Sequence, residues 1–256
     1  MAEDVLAKIS PPEVAAFYRR LAEGVDARKG ALKVSLAAAL MRKWLDNRDR
    51  SAKLVIDAPE HLRNHEKTRA TLAYHRQVFL TEKKARRSAG ETWAGVLPRL
   101  KGMAPHAKWD PRQSLRIEYE SLLEFPLRYQ LTGNDADRDL LYSVHGCQLH
   151  STVTLFGQPG SKNGRLKISF QAFETYVLDR YDWDYSEHLT VPNPDFGSTA
   201  KGAVAPRLET VVVYHKNAKR LEDAGLAAPY SFKTTPWSVT DAALNAPAEV
   251  DASRPL

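Results

Sequence analysis

Residues 166–188 read LKISFQAFETYVLDRYDWDYSEH. The first part, Leu166 to Leu178, is rich in β-branched and aromatic residues and reads as a long strand continuing to about Asp182. The second part, Asp179 to His188, holds four carboxylates, two phenols and an imidazole within ten residues. A carboxylate is rarely kept inside a protein unless it is paired, hydrogen-bonded or bound to a metal. Two readings stand at this point. The acids end a strand and cap the turn backbone, or they serve phosphate-ester chemistry. In the second reading one carboxylate holds Mg²⁺, another acts as base or nucleophile, and His188 moves a proton.

The surroundings of this stretch read as β-rich. Leu115, Ile117 and Tyr119 alternate with charged residues, which gives a half-buried strand. Phe125 to Thr132 reads as another strand, Gly133-Asn134-Asp135 as a turn, and Leu140 to Phe156 as a bent strand or hairpin. Asn163-Gly164 is a hairpin turn signal. Downstream, Leu208 to His215 reads as a strand buried on both faces. Lys216 to Ala224 reads as a helix stopped by Gly225, and Tyr230 to Val239 as an edge strand because of Pro236. The tail from Asn245 reads as loose.

The first hundred residues read differently. Ser10-Pro11-Pro12-Glu13 carries a helix-start signature, and Val14, Phe17, Tyr18 and Leu21 line one helix face up to a stop at Gly24. A second helix spans Ala31 to Asn47 with Leu36, Leu40 and a buried Trp44 on its stripe. Lys53 to Ile56 reads as a short strand, Glu60 to Lys67 as helix, and Thr71 to Thr81 as helix or strand. Lys83 to Arg87 is a basic run, Glu91 to Leu100 a short helix, and Gly102 to Pro111 a linker. The expected organisation is α+β, with a helical, basic region at 1–108 and a mostly antiparallel β-rich domain at 109–256.

Charge follows the same division. Residues 1–108 hold 22 Lys and Arg against 12 Asp and Glu, whereas residues 109–256 hold 15 against 19. The acidic half carries the Asp-rich stretch and repels phosphate backbones, so no nucleic acid is expected as a partner. The single Cys147 excludes an internal disulfide and a Cys-rich zinc site. His145, Cys147 and His150 fall on two faces of a strand and do not converge on one ion. The start, MAEDVLAKISPPEV, has neither a basic n-region nor an apolar core. Synthesis in the cytoplasm without a cleaved signal peptide, followed by export by another route, is the expectation.

Written as a pattern, the central stretch is Asp179-x-Tyr181-Asp182-x-x-x-x-x-His188. It resembles the active-site signature of the colicin M family, bacteriocins that cleave lipid-linked peptidoglycan precursors. The family pattern continues with Arg, where this chain has Leu189. The resemblance implies a partly open, barrel-like catalytic domain and an antibacterial toxin. Its substrate would be lipid II at the inner membrane surface, cleaved between undecaprenol and pyrophosphate from the periplasmic side of a target cell. Asp179, Tyr181, Asp182 and His188 would be the catalytic set, with Asp179 and Asp182 as Mg²⁺ ligands. Arg180, Lys201 and Arg207 would supply positive charge to the pyrophosphate in place of the family Arg. Residues 1–108 would serve delivery through a receptor or secretion apparatus, and removal of residues 1–100 would spare the chemistry. An immunity protein is a further implied partner. A non-catalytic adaptor on the same fold is the alternative.

Overall fold

The computed structural model describes residues 4–27, 36–80, 114–162, 165–183 and 188–251. The fold is α+β, with helices and a mixed seven-stranded sheet, and the described strands form no closed barrel. Strands β1 (Lys53–Ile56), β7 (Tyr230–Thr234), β4 (Arg165–Tyr181), β3 (Gly146–Pro159) and β2 (Leu115–Glu124) follow one another in that order. The short β8 (Trp237–Ser238) and β9 (Ala248–Asp251) also pair with β4. A separate antiparallel pair joins β5 (His188–Pro192) to β6 (Thr210–Tyr214).

Two compact units divide the chain. One comprises Met1–Val55, Glu124–Gly146 and Asp179–Lys233, and the other Ile56–Leu123, Cys147–Leu178 and Thr234–Leu256. The boundary expected at 108 lies outside the described residues, and each unit draws on both sides of it. The basic run at 83–87, the helix expected at 91–100, the linker and the Asn163-Gly164 turn also lie outside them.

In the first unit, α1 (Pro11–Ala27) begins as the sequence indicates. The Glu13 carboxylate accepts hydrogen bonds from the Ser10 backbone N–H at 2.8 Å and its hydroxyl at 2.7 Å. The helix runs past Gly24, because an interior glycine costs only about 1 kcal/mol and does not by itself stop a packed helix. Helix α2 (Leu36–Asp46) is capped from a distant part of the chain. Asp139, buried in α6 (Asp135–Val144), accepts from the backbone N–H groups of Leu36 and Ala37, both at 2.9 Å. A carboxylate there satisfies orphan donors and meets the positive end of the helix dipole.

Helix α6 corrects the strand expected from Leu140. Asn134 accepts from the Asp137 N–H at 3.0 Å, and the Asp137 carboxylate accepts from the Asn134 N–H at 2.9 Å. This reciprocal cap starts a helix, which gives way to β3 at Gly146. The strand expected at Phe125 to Thr132 is likewise a short helix, α5 (Tyr129–Thr132). The helix α7 (His215–Asp223) ends before Gly225, whose φ of +68° suits a glycine. In β6, Val211 and Val213 are buried while Val212 is half-buried, so one face is inward rather than both.

In the second unit, α3 (Glu60–Asn64) and α4 (Glu66–Leu80) resolve the ambiguous run at Thr71 as helix. Leu72, His75, Val78 and Phe79 form its buried side, a helical spacing once His75 is counted as inward. The His75 ring lies between two hydroxyls, with Nε2 2.7 Å from Ser121 Oγ and Nδ1 2.7 Å from Ser151 Oγ. Ser151 donates on to Thr175 Oγ1, which donates to the His150 carbonyl at 2.6 Å. Because Ser151 uses its own proton toward Thr175, His75 carries its proton on Nδ1 and accepts from Ser121. The tail is not loose from Asn245: β9 pairs from Ala248 to Asp251 with Ile168 to Arg165 of β4.

Candidate functional site

Strand β4 alternates, and its buried face runs through Phe173, Thr175 and Val177. Asp179 continues that face by period two. Its carboxyl is therefore half-buried, and desolvation pushes its pKa up to about 7. A hydrogen bond from the Arg180 N–H at 2.7 Å opposes the rise, and the neighbouring Asp182 charge adds to it. Asp182 itself is exposed and pairs with Arg180, Nε to Oδ2 at 3.1 Å. The strand ends at Tyr181, in accord with the strand end or bulge that joint action of Asp179 and Asp182 requires. Residues 184–187, including Asp184, lie outside the described residues.

Asp179, Arg180 and Asp182 line a cavity of about 280 Å³. Trp183 forms part of its wall and is itself buried against Tyr18 at 5.7 Å, Trp44 at 5.5 Å and His215 at 4.9 Å between ring centroids. Two of these rings belong to α1 and α2. The N-terminal helices thus pack behind Trp183, so removal of residues 1–100, expected to spare the chemistry, would strip two rings from this wall of the cavity.

The other expected site residues divide. Tyr181 contributes to the cavity lining but is 6% exposed, with its ring stacked on Tyr230 at 5.6 Å and its pKa raised by burial. It is a protonated core phenol. His188 is exposed at the start of β5, with its ring 5.4 Å from Tyr214. It does not line this cavity; Leu189 does. Lys201 and Arg207 are exposed on the 193–209 loop and do not line it either. That loop is held by Asn193, which donates to the carbonyls of Val204, Ala205 and Leu208, and by Asp195, which pairs with Arg20 at 2.7 Å.

Two imidazoles that the sequence reading did not assign to this site line the cavity, those of His145 and His215. The Phe125 carbonyl lies 2.9 Å from His145 Nδ1. A carbonyl only accepts, so a proton sits on Nδ1, and in the neutral ring the lone pair is on Nε2. Both histidines sit at junctions, one closing α6 and one opening α7 directly after β6. A titratable residue at the end of a buried strand was the signal available for His215. Cys147 is buried in β3 with its thiol 3.7 Å from the Leu123 carbonyl, and His150 lies 3.1 Å from Glu120 and stacks on Tyr176, so these two side chains have their own partners.

For Mg²⁺ the donor set is two carboxylates, one half-buried beside the other's charge. That fits a hard cation that takes one or two carboxylates and leaves its other positions to water and phosphate. No family model, no curated protein and no solved structure matches this chain.

Proposed function

We propose that the cavity beside Asp179 and Asp182 is the active site of a phosphoesterase that hydrolyses lipid II between undecaprenol and pyrophosphate. The observation that carries this reading is a pair of interacting carboxylates, one with a pKa near 7, in a cavity that also holds an imidazole of fixed tautomer. Groups whose environments pull their pKa values apart are the usual makers of acid–base pairs. The resemblance of the Asp179–His188 pattern to the colicin M signature supplies the substrate class.

Hydrolysis adds water across the ester. The hydroxyl joins phosphorus and a proton goes to the departing polyprenyl oxygen. Ionised Asp179 and Asp182 would hold Mg²⁺, which supplies charge neutralisation on the pyrophosphate when bound. His145 Nε2 takes the proton of the attacking water, and Arg180 shifts from Asp182 to a phosphoryl oxygen. Trp183 and Leu189 give the lipid-side oxygen an apolar surround. In this reading the protein is exported and acts on the outer face of the inner membrane, with an immunity protein protecting the producer. A signal-peptide fusion tests the compartment: toxicity in the periplasm and none in the cytoplasm is expected, and equal toxicity without export contradicts it.

One observation favours the adaptor reading. Tyr181 and Trp183, which give the stretch its aromatic character, are core residues, so packing explains part of the pattern. An adaptor binds lipid II without releasing polyprenol.

A further inference from the structure

A second cavity lies wholly within the second unit. It is open and measures about 450 Å³, a size that takes a mono- or disaccharide. Trp237 forms one wall, with its backbone fixed opposite Thr175 by the pairing of β8 with β4 and its indole half-exposed. Buried Leu72, Val239 and Leu244 line the same cavity and add apolar surface.

The polar groups are unequal. Arg69 is committed to Asp241 at 2.8 Å, and Asp241 also caps the backbone of Ala243 at 2.9 Å. Arg63 is exposed on the rim and has no ion-pair partner among the described residues. Ser238 and Thr240 present exposed hydroxyls. Glu60 and Asp241 balance the two arginines, so the cavity has no net field to gather a polyanion. One apolar wall, two hydroxyl-bearing residues and one guanidinium without an ion-pair partner among the described residues describe a ligand with a ring, hydroxyls and a single anionic group.

We propose that this cavity binds an acidic saccharide, with the C–H face of its ring on Trp237 and its carboxylate or phosphate on Arg63. The proposal stands apart from the reading of the Asp179 cavity. A half-exposed indole gives apolar contact, and a guanidinium gives a bidentate, charge-assisted pair that a neutral sugar lacks.

The test is titration calorimetry of the full chain with glucuronate, N-acetylmuramic acid, N-acetylglucosamine 1-phosphate, N-acetylglucosamine, uridine monophosphate and inorganic phosphate. Saturable binding of an acidic sugar is expected, with the neutral sugar and free phosphate weaker by roughly tenfold or more. Preference for the carboxylates or for the sugar phosphate names the anion, and either supports the proposal. Arg63→Ala, on an exposed side chain, should erase the preference for acid, and Trp237→Ala should weaken acidic and neutral sugars alike. Unchanged acid preference in Arg63→Ala overturns the proposal, as does tighter binding of the nucleotide than of every acidic sugar, or no saturation by any acidic sugar up to about 10 mM.

Discussion

Asp179 concentrates the physics of the site in one carboxyl. Between the ordinary aspartate value of 3.8 and about 7, the folded chain holds a proton that the unfolded chain has released. Stability from this group is therefore present at low pH and falls as pH rises through that window. Asp179→Asn removes the dependence. Its melting temperature should exceed that of the wild type by several degrees at pH 8, by less at pH 5 and by little at pH 3.5, since about 1 kcal/mol shifts a chain of this size by roughly 2–4 °C. Parallel melting curves across pH would show that Asp179 is not held protonated. The same group sets the sign for activity. An ionised Asp179 is needed to bind a cation, so turnover should rise through pH 7 on the acid side. His75 offers a second residue-scale check. Ser121→Ala takes away the 2.7 Å partner of a buried ring nitrogen and should cost about 1–3 kcal/mol, read as a lower urea midpoint at unchanged slope.

At the scale of elements, the cap of α2 shows what the sequence hides. The Ser10–Glu13 start of α1 was legible because cap and helix are adjacent, whereas Asp139 reaches α2 across about a hundred residues of chain. No local pattern announces that. Asp139→Ala should destabilise the protein by about 1–3 kcal/mol in urea titration, whereas Asp135→Ala, an exposed acid on the same helix, should fall within about 0.5 kcal/mol of wild type. Helix α6 was missed for a different reason. Leu140, Leu141 and Val144 continue into the alternating run of β3, and the apolar stretch hides the change of period at Gly146. The Asn134–Asp137 cap was present but reads as a turn, because Asp at the third helical position is a weaker signal than Glu or Gln. Strand β9 escaped because it is four residues long and gains its place from β4 rather than from its own composition. Strand β4, its end near Asp182, and α7 before Gly225 were all legible, since each rests on local period or local punctuation.

Across the whole chain, fold class was readable and the ownership of the site was not. The acids were found from their density, but their partners Trp44, Tyr18, His145 and His215 come from four separate segments. Side chains that meet only through tertiary packing leave no spacing to read. One consequence concerns truncation. Removing residues 1–55 strips two rings from Trp183, so the remaining chain should lose near-ultraviolet circular dichroism from its tryptophans and all activity. A truncated chain with native spectrum and full turnover would contradict the shared core. The central claim, that the Asp179–Asp182 cavity hydrolyses lipid II, has a direct test. Purified wild type, Asp182→Ala, His145→Gln and His188→Gln are incubated with labelled lipid II and Mg²⁺, and chromatography separates free polyprenol from the pyrophosphoryl sugar peptide. Wild type should release both products, Asp182→Ala and His145→Gln should each lose on the order of 10²-fold or more, and His188→Gln should retain most activity. Release by Asp182→Ala equal to that of wild type, or none by wild type, contradicts the claim.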